Sequence, residues 1–386
     1  MGRYGPVSSA KKEVSPMRVI IPALLATALF AVIAADRAAA AEISTKYKRI
    51  VADFRHVSRT GDPATRAAAG RLARDAYRGL LIETSDEEKL DADDLHALGA
   101  CHEALGEFDQ AKELYYKSQT KQDTAENRLG LVRVLLVSDL AQAEEHYASA
   151  RKLQPNNARL AAYRDILAAA HQRHRNWDRA IEHVELYLAY VKTQLDNQAN
   201  NVALRSRYES VQSRLDRLRL LSGMKGHTAP ALTAQAWITG PPINLEQLQG
   251  KVVLVDFCAL WSAESRRRME VLKKLAGKYG DEGLEVIGVA MLTGRRWDPK
   301  TDQFSYDAGL SAKEEQASAA EFVRKHDIPH RLAVIDEATS VRYGVSTVPH
   351  TVTLDKEGNV QMILRNSDAE DEAELEKTVR TLLGLR

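Results

Sequence analysis

Several side chains that could do chemistry lie in one short stretch of the sequence. Asp256 and Cys258 end an apolar run, and Ser262 and Ser265 follow at a spacing of three. A cysteine thiolate could attack a disulfide or a peroxide, and a serine could attack an acyl carbon if a histidine such as His350 removed its proton. A hydrolase built from Ser262, His350 and Asp256 also requires an oxyanion hole, which no segment of the sequence indicates. Thiol chemistry, serine hydrolysis and a site without catalysis are therefore the alternatives.

This stretch has the pattern of a strand followed by a helix. Val252 to Phe257 is a continuous apolar run rich in β-branched residues, which is typical of a buried central strand. A helical pattern then continues to about Tyr279. Because α/β proteins place their chemistry where a strand leads to the N-terminus of a helix, we expect any site at this junction.

The residues at the junction resemble the active-site strand and turn of thioredoxins, V-D-F-W-A-x-W-C-x-x-C. Residues 255–257 (VDF), Ala259 and Trp261 match that pattern. Residues 250–257 (GKVVLVDF) resemble in particular the envelope thioredoxin-like proteins of the TlpA/ResA type. The resemblance implies a thioredoxin-like α/β domain, which we expect over residues 230–386.

The sequence departs from this family at the reactive positions. Ser262 and Ser265 replace the two cysteines, and Cys258 replaces the first tryptophan. Disulfide exchange requires an attacking thiolate and a resolving thiol, so the serines can perform neither step, and we expect Ser262 to cap the helix. Cys258 precedes the helix N-terminus that lowers thiol pKa values, so we expect it to be buried and inert; a one-cysteine peroxidase is the alternative. Asp256 matches the buried aspartate that assists proton transfer in thioredoxins, and we expect its pKa to be raised.

A second part of the family pattern lies at residues 344–349 (GVSTVP), which resemble the motif G-V-x-x-x-P. The resemblance implies a cis peptide bond between Val348 and Pro349, and a loop whose backbone pairs with a bound peptide as an added strand. Because such pairing uses the backbone, it does not require cysteines. The predicted binding residues are Trp261, Val348, Pro349 and His350.

The rest of the C-terminal pattern is β-α-β-α-β-β-α with an inserted strand and helix, as in the thioredoxin core. Residues 295–309 form a polar and aromatic segment without periodicity. Arg266, Arg267 and Arg268 are consecutive on the predicted helix, so they spread around most of its circumference. We expect them in solvent, with binding of an acidic partner as the alternative.

The N-terminal half, residues 42–222, has a helical pattern rich in Ala, Leu, Arg and Glu. It resembles tetratricopeptide repeats, with small residues where two helices approach and large residues between hairpins. The small residues are Gly99, Ala111, Ala143 and Ala180, and the large ones are Phe108, Tyr115, Tyr147 and Trp177. Since one hairpin cannot bury its apolar face alone, several must stack into a superhelix. The resemblance implies a groove that binds proteins or peptides; a scaffold that docks on the neighbouring domain is the alternative. Residues 223–229 are the predicted linker.

Residues 1–41 are predicted to be a targeting segment. Basic residues from Lys11 to Arg18 precede the apolar stretch Val19–Ala35, and the small residues 38–41 suit cleavage by signal peptidase. A cleaved signal peptide and an uncleaved signal anchor are both compatible with this length. Either places the body of the protein in the periplasm or cell envelope, with membrane contact only through the anchor.

Composition argues against several other functions. The chain of 386 residues has a net charge of +1, which gives no reason to expect a nucleic-acid partner. Its two cysteines, Cys101 and Cys258, support neither a disulfide scaffold nor a cysteine metal site. The isolated His326 and His330 do not indicate a metal site, and we expect no cofactor because no nucleotide-binding motif is present.

The sequence therefore predicts an α + α/β protein, in which a tetratricopeptide-like helical superhelix is followed by a thioredoxin-like α/β domain. We expect an exported, non-catalytic module that binds proteins or peptides, or acts as a scaffold. The alternative is a thiol–disulfide oxidoreductase or peroxidase of the TlpA/AhpC-like class that uses Cys258.

Overall fold

The computed structural model describes residues 43–84, 87–365 and 368–385. The predicted targeting segment, residues 1–41, lies outside the described residues. Within them, no helix combines the length and the apolar character that crossing a membrane requires. The predicted order of the two parts is confirmed, because a series of helices precedes an α/β sheet domain.

Up to residue 224 the described chain is mainly helical. The helices are α1 (Ile43–Thr60), α2 (Pro63–Glu83), α3 (Ala92–Leu105), α4 (Phe108–Lys121), α5 (Ala125–Leu135), α6 (Leu140–Leu153), α7 (Leu160–Arg173), α8 (Trp177–Asn197) and α9 (Val202–Met224). Local sequence sets where they begin. At α2 the Asp62 carboxylate accepts the backbone N–H groups of Ala64 and Thr65, while Pro63 occupies the first helical position, where no donor is needed.

Consecutive helices pair as hairpins in the compact unit that ends at His174. Helix α1 packs on α2, α3 on α4 and α5 on α6. The first helix of one hairpin also contacts the first helix of the next, α1 with α3 and α3 with α5. Stacked helical repeats share a core through this kind of neighbour-to-neighbour packing. The assignment to tetratricopeptide repeats stays a prediction.

Tyr115 is a large residue at the centre of this packing. Its side chain is fully buried, and a Cβ atom at Gly99 or Gly130 would lie 3.0 or 2.8 Å from its ring. The predicted close approach at Gly99 is therefore confirmed. The prediction is wrong for Phe108, whose side chain is 55% exposed, because it stands at the first position of α4.

Two glycine substitutions are expected to have opposite effects on this unit. Gly79→Ala should stabilise it by about 0.5–1 kcal/mol, since the position is helical and has open space around its Cβ. Gly130→Ala should destabilise it by about 1–3 kcal/mol, since the new methyl group would meet the Tyr115 ring. Urea unfolding followed by far-UV circular dichroism measures both. Equal effects would contradict the close packing of Tyr115.

The second compact unit begins at Arg175, so helices α8 and α9 group with the sheet domain. The sequence placed the boundary at residues 223–229, where helices give way to strands. The packing boundary lies earlier because α9 and the residue that precedes α8 have partners in the sheet domain. Leu221 of α9 lies against Gly344, and Arg175, just before α8, forms an ion pair with Asp371 at 3.1 Å.

The remaining elements alternate as the sequence predicts. The strands are β1 (Ala234–Thr239), β2 (Val252–Cys258), β3 (Leu284–Ala290), β4 (Arg295–Asp298), β5 (Gln303–Tyr306), β6 (Arg331–Ile335), β7 (His350–Leu354) and β8 (Val360–Leu364). The helices are α10 (Ala263–Tyr279), α11 (Ala312–Lys325), α12 (Glu337–Arg342) and α13 (Ala369–Leu383). Six strands form one sheet in the order β1-β6-β3-β2-β7-β8, and β4 and β5 form a separate hairpin.

Strand β2 is central in this sheet, as predicted. Every one of its residues is buried, and it pairs in parallel with β3 and antiparallel with β7. A strand covered on both faces accounts for its apolar run, which only Asp256 interrupts. Strand β1 and the short helix α12 were not predicted. The β4–β5 hairpin within residues 295–309 was not predicted either, because its alternation is too short to stand out in the sequence.

Candidate functional site

Three loops leave the sheet at one edge. The end of β2 pairs with the end of β3, Cys258 with Ala290, and with the start of β7, Phe257 with His350. The turn after β2, the segment after β3 and the loop before β7 therefore meet at this edge. The Val348–Pro349 peptide bond in the last of these loops is cis, as predicted.

The serines at the family's two cysteine positions have structural roles. Ser262 is the N-cap of α10, and its hydroxyl accepts the backbone N–H of Ser265 at 3.4 Å, which confirms the predicted cap. Ser265 is fully buried, and its hydroxyl accepts the backbone N–H of Ala259 at 3.1 Å. Both hydroxyls thus satisfy backbone donors in the turn between strand and helix.

Cys258 is a core residue. Its side chain is 4% exposed and packs among apolar neighbours that include Met269 and Trp297. The thiol lies 3.5 Å from the carbonyl oxygen of Val289 and can donate to it. Burial raises the pKa of this thiol well above its usual value, and the carboxyl of Asp256 raises it further. The predicted burial is confirmed, and the thiolate that chemistry requires is disfavoured.

Asp256 is a buried carboxyl with one hydrogen-bond donor. Thr351 donates to its Oδ1 at 2.7 Å, and its Oδ2 has no donor among the described residues. Burial raises the pKa of Asp256 to about 7, although the hydrogen bond from Thr351 and the charge of Arg268 lower it. The predicted rise in pKa is confirmed.

Arg268 is a second charged group in this core. The sequence predicted it in solvent with Arg266 and Arg267, and this is wrong for Arg268, whose side chain is fully buried. Successive residues point about 100° apart around a helix, so one of three can face the core while its neighbours face outwards. Burial raises the pKa values of both Asp256 and Asp371, and the charge of Arg268 opposes the rise at each.

His350 lies on the other face of the sheet from Asp256. On β7, Thr351 reaches Asp256, so the adjacent His350 points the opposite way, where its ring meets the Phe257 ring edge-on at 5.7 Å. Burial lowers the pKa of His350 to about 3. Neither ring nitrogen has a partner among the described residues, so no Ser262–His350–Asp256 relay forms. Because the side chain is fully buried, it also does not line the surface as its predicted binding role requires.

The loop before β7 presents backbone rather than large side chains. Ser346 and Thr347 are exposed, Val348 is half-buried and Pro349 is buried. Among the described residues, no hydrogen bond engages the backbone N–H groups of Thr347 and Val348. These groups can therefore pair with another chain.

Trp261 is an exposed aromatic residue at this edge, with 42% of its surface accessible. The guanidinium of Arg295 lies over its ring, 4.7 Å from the centroid. Arg295 reaches this position because Glu315 holds the preceding segment. The Glu315 carboxylate accepts the backbone N–H groups of Thr293, Gly294 and Arg295 at 2.8, 2.9 and 3.2 Å.

Sequence reasoning missed Arg295 and Glu315 as parts of the site. The hydrogen bonds from the backbone of residues 293–295 to Glu315 connect the segment after β3 with α11. An insertion separates these segments in the sequence, so no local period or spacing indicates the contact.

The helical unit contains a separate concavity of about 760 Å³, lined by α1, α3, α5 and α7. Within its lining, Arg133 forms an ion pair with Glu103 at 2.5 Å and also contacts the hydroxyls of Tyr115 and Tyr163. The surface is thus polar and partly charged. The sequence could not name these residues, because they come from helices of successive hairpins.

Comparison with known families gives a match in the second part of the chain. Residues 225–363 match the model of the AhpC/TSA family. This match begins after α9 and therefore leaves the helices α1–α9 outside it.

Individual relatives agree with this at low identity. The thiol-disulfide oxidoreductase ResA of Bacillus cereus is 26% identical over 125 residues, which cover 32% of this chain and 60% of that protein, less than two thirds of its length. The thioredoxin-like protein YneN of Bacillus subtilis is 24% identical over 139 residues, which cover 36% and 70%. A solved thioredoxin-family thiol:disulfide interchange protein of Chlorobium tepidum aligns with a TM-score of 0.32 at 16% identity, covering 41% of this chain and 96% of that one.

Proposed function

We propose that this chain is an exported envelope protein that binds proteins or peptides without catalysing thiol–disulfide exchange. The proposal builds on the thioredoxin-like domain, which matches the AhpC/TSA family model. The observation that carries the proposal is the role of the two serines. Ser262 caps α10 and Ser265 supports the turn before it, so neither position offers a nucleophile to sulfur.

The first binding surface in this proposal is the edge where the three loops meet. The free N–H groups of Thr347 and Val348 would pair with the main chain of an extended peptide, as an added strand does. Trp261 would contribute apolar area beside it, since an exposed tryptophan with a polar rim is typical of binding sites.

The second surface is the concavity of the helical unit. Its lining comes from successive hairpins, which is the arrangement by which repeat proteins form extended binding surfaces. Its mixture of charged and aromatic side chains suits a peptide with polar groups better than an apolar ligand. The alternative to peptide binding in this concavity is that the helices act only as a scaffold.

Export to the periplasm or cell envelope is supported by the basic and apolar segments within residues 1–41. No cofactor, metal or nucleic acid enters the proposal.

The competing function is a thiol–disulfide oxidoreductase or peroxidase that uses Cys258. The ResA relatives, which carry the name thiol-disulfide oxidoreductase, favour it. The burial of Cys258 and the raised pKa of its thiol weigh against it, because a thiolate is the reactive form.

One pair of assays separates the two functions. We expect the purified chain to reduce insulin with dithiothreitol, and to consume hydrogen peroxide, no faster than buffer does, because it lacks an accessible thiolate. The Cys258→Ser variant should give the same rates. Turnover by the wild type that disappears in Cys258→Ser would establish the enzyme and exclude the non-catalytic proposal.

A further inference from the structure

We propose that the peptide surface at the loop edge selects an acidic side chain, and that Arg295 binds its carboxylate. This inference rests on the proposed peptide-binding function and specifies the chemistry of the partner. It follows from the position of one arginine on the β4–β5 hairpin.

Among the described residues, Arg295 differs from Arg296 and Arg266 in having no carboxylate partner for its guanidinium. The described residues provide no ion-pair partner for Arg295, which is half-buried. Its neighbour Arg296 pairs with Asp307 at 3.2 Å and with Glu314 at 3.6 Å. Arg266 lies 3.7 Å from Asp302. A guanidinium without an internal anion beside a binding surface suits an anion from outside.

Contact with Trp261 sets how Arg295 can act. Its guanidinium lies over the indole ring, 4.7 Å from the centroid. In such a contact the ring occupies one side of the cation, while the N–H groups remain able to donate to a carboxylate, in favourable cases through two parallel hydrogen bonds. The same pair therefore offers apolar contact and recognition of an anion.

Arg295 is also held in place before any ligand arrives. Glu315 fixes its backbone N–H and those of Thr293 and Gly294, as described above. Two residues on, the backbone N–H of Trp297 donates to the Ser318 hydroxyl at 2.9 Å, again on α11. A group that is already ordered loses less conformational entropy on binding, which favours a selective contact.

The peptide path brings a side chain to this cation. The turn that carries Trp261, the segment that leads to Arg295 and the loop with Thr347 and Val348 leave the sheet at one edge. An extended peptide paired with that loop projects alternate side chains to one side. We assign the side chain that faces Trp261 to Asp or Glu.

The test uses the full chain and two pools of capped nine-residue peptides that carry fluorescein. The pools have degenerate positions except at the centre, which is Glu in one and Gln in the other. Fluorescence anisotropy should show that the wild type binds the Glu pool about 10- to 100-fold more tightly, as expected for a charge-assisted hydrogen bond. Arg295→Ala should bind the two pools equally, and Arg295→Lys should keep part of the preference for the Glu pool. The matched control Arg296→Ala should keep all of it.

The outcomes separate this inference from the function on which it rests. Equal binding of both pools by the wild type overturns the role of Arg295 and leaves peptide binding intact. Binding of neither pool overturns both. If Arg295→Ala weakens the two pools by the same factor, Arg295 is only a structural support, and the assignment to a carboxylate is wrong.

Discussion

Replacing both Ser262 and Ser265 by cysteine should turn this chain into a disulfide reductase. Insulin reduction with dithiothreitol should be on the order of 100-fold faster than for Ser262→Cys alone, because only the double variant holds a resolving thiol at high effective concentration. The wild type should stay at the buffer rate. Turbidity of reduced insulin measures all three.

The physical reason is that the turn keeps the features that activate a thiol. Position 262 is the N-cap of α10, where unpaired backbone N–H groups and the helix dipole stabilise a thiolate. Position 265 lies in the first turn of the same helix. In the strand that leads there, Asp256 has a pKa of about 7 and can exchange protons near neutral pH.

The double variant has a clear control and a clear contradiction. Without dithiothreitol, Ser262→Cys with Ser265→Ala should form a mixed disulfide with insulin but not release it, which mass spectrometry can detect. The variants that replace Ser265 lose the hydrogen bond that its hydroxyl accepts from the Ala259 N–H. This loss should destabilise them by about 1 kcal/mol, so folding must be checked first. If the double variant forms its internal disulfide yet does not reduce insulin, the site lacks other features that catalysis requires besides the two cysteines.

Much of the fold and the turn could be predicted because the signals are local. The run that forms β2 is apolar except for Asp256 and begins with β-branched valines, and Ser262 directly precedes a helical pattern. The loop ending at Pro349 is likewise a contiguous motif. Each conclusion required only neighbours in the sequence.

The rest depends on contacts between distant segments. Arg268 is buried because the sheet and the start of α13 lie opposite its face of α10. Arg266 and Arg267 have the same local sequence context, so the sequence does not single out Arg268. Glu315 meets the segment after β3 only when the chain has folded. His350 was assigned to a binding surface because it follows Pro349, but strand alternation turns it into the core. In each case spacing along the chain does not fix which way the side chain faces.

The second large effect is expected from the buried carboxyl. Asp256→Asn should stabilise the chain by about 4 kcal/mol at pH 8 and by close to nothing at pH 4, since the pKa rises from 3.8 when unfolded to about 7 when folded. A carboxyl whose pKa is raised by folding contributes stability through its proton. This stability is fully present below the pKa of the unfolded state and is lost as pH rises through the pKa of the folded state. Asparagine stays neutral, so it avoids this loss and can still accept the Thr351 hydrogen bond at 2.7 Å.

Urea unfolding at intervals from pH 4 to pH 8 measures this effect as the difference in unfolding free energy between variant and wild type. The difference should grow by about 1.4 kcal/mol per pH unit across the window between the two pKa values, which corresponds to one proton. Using the difference matters, because burial also lowers the pKa values of His330 and His350, and both proteins share those contributions. The exposed control Asp281→Asn should give a flat difference.

A variant of Arg268 tests whether burial and the opposing charge of Arg268 together set the pKa of Asp256. Its charge lowers the pKa of Asp256, so in an Arg268→Met background that pKa should rise further. The stabilisation by Asp256→Asn should then become larger and reach its full value at a higher pH than in the wild type. If the profile does not move, the charge of Arg268 is not coupled to Asp256, and the hydrogen bond from Thr351 alone opposes the effect of burial. A flat profile in both backgrounds would instead mean that Asp256 is already ionised when the chain is folded, which its burial and its single donor argue against.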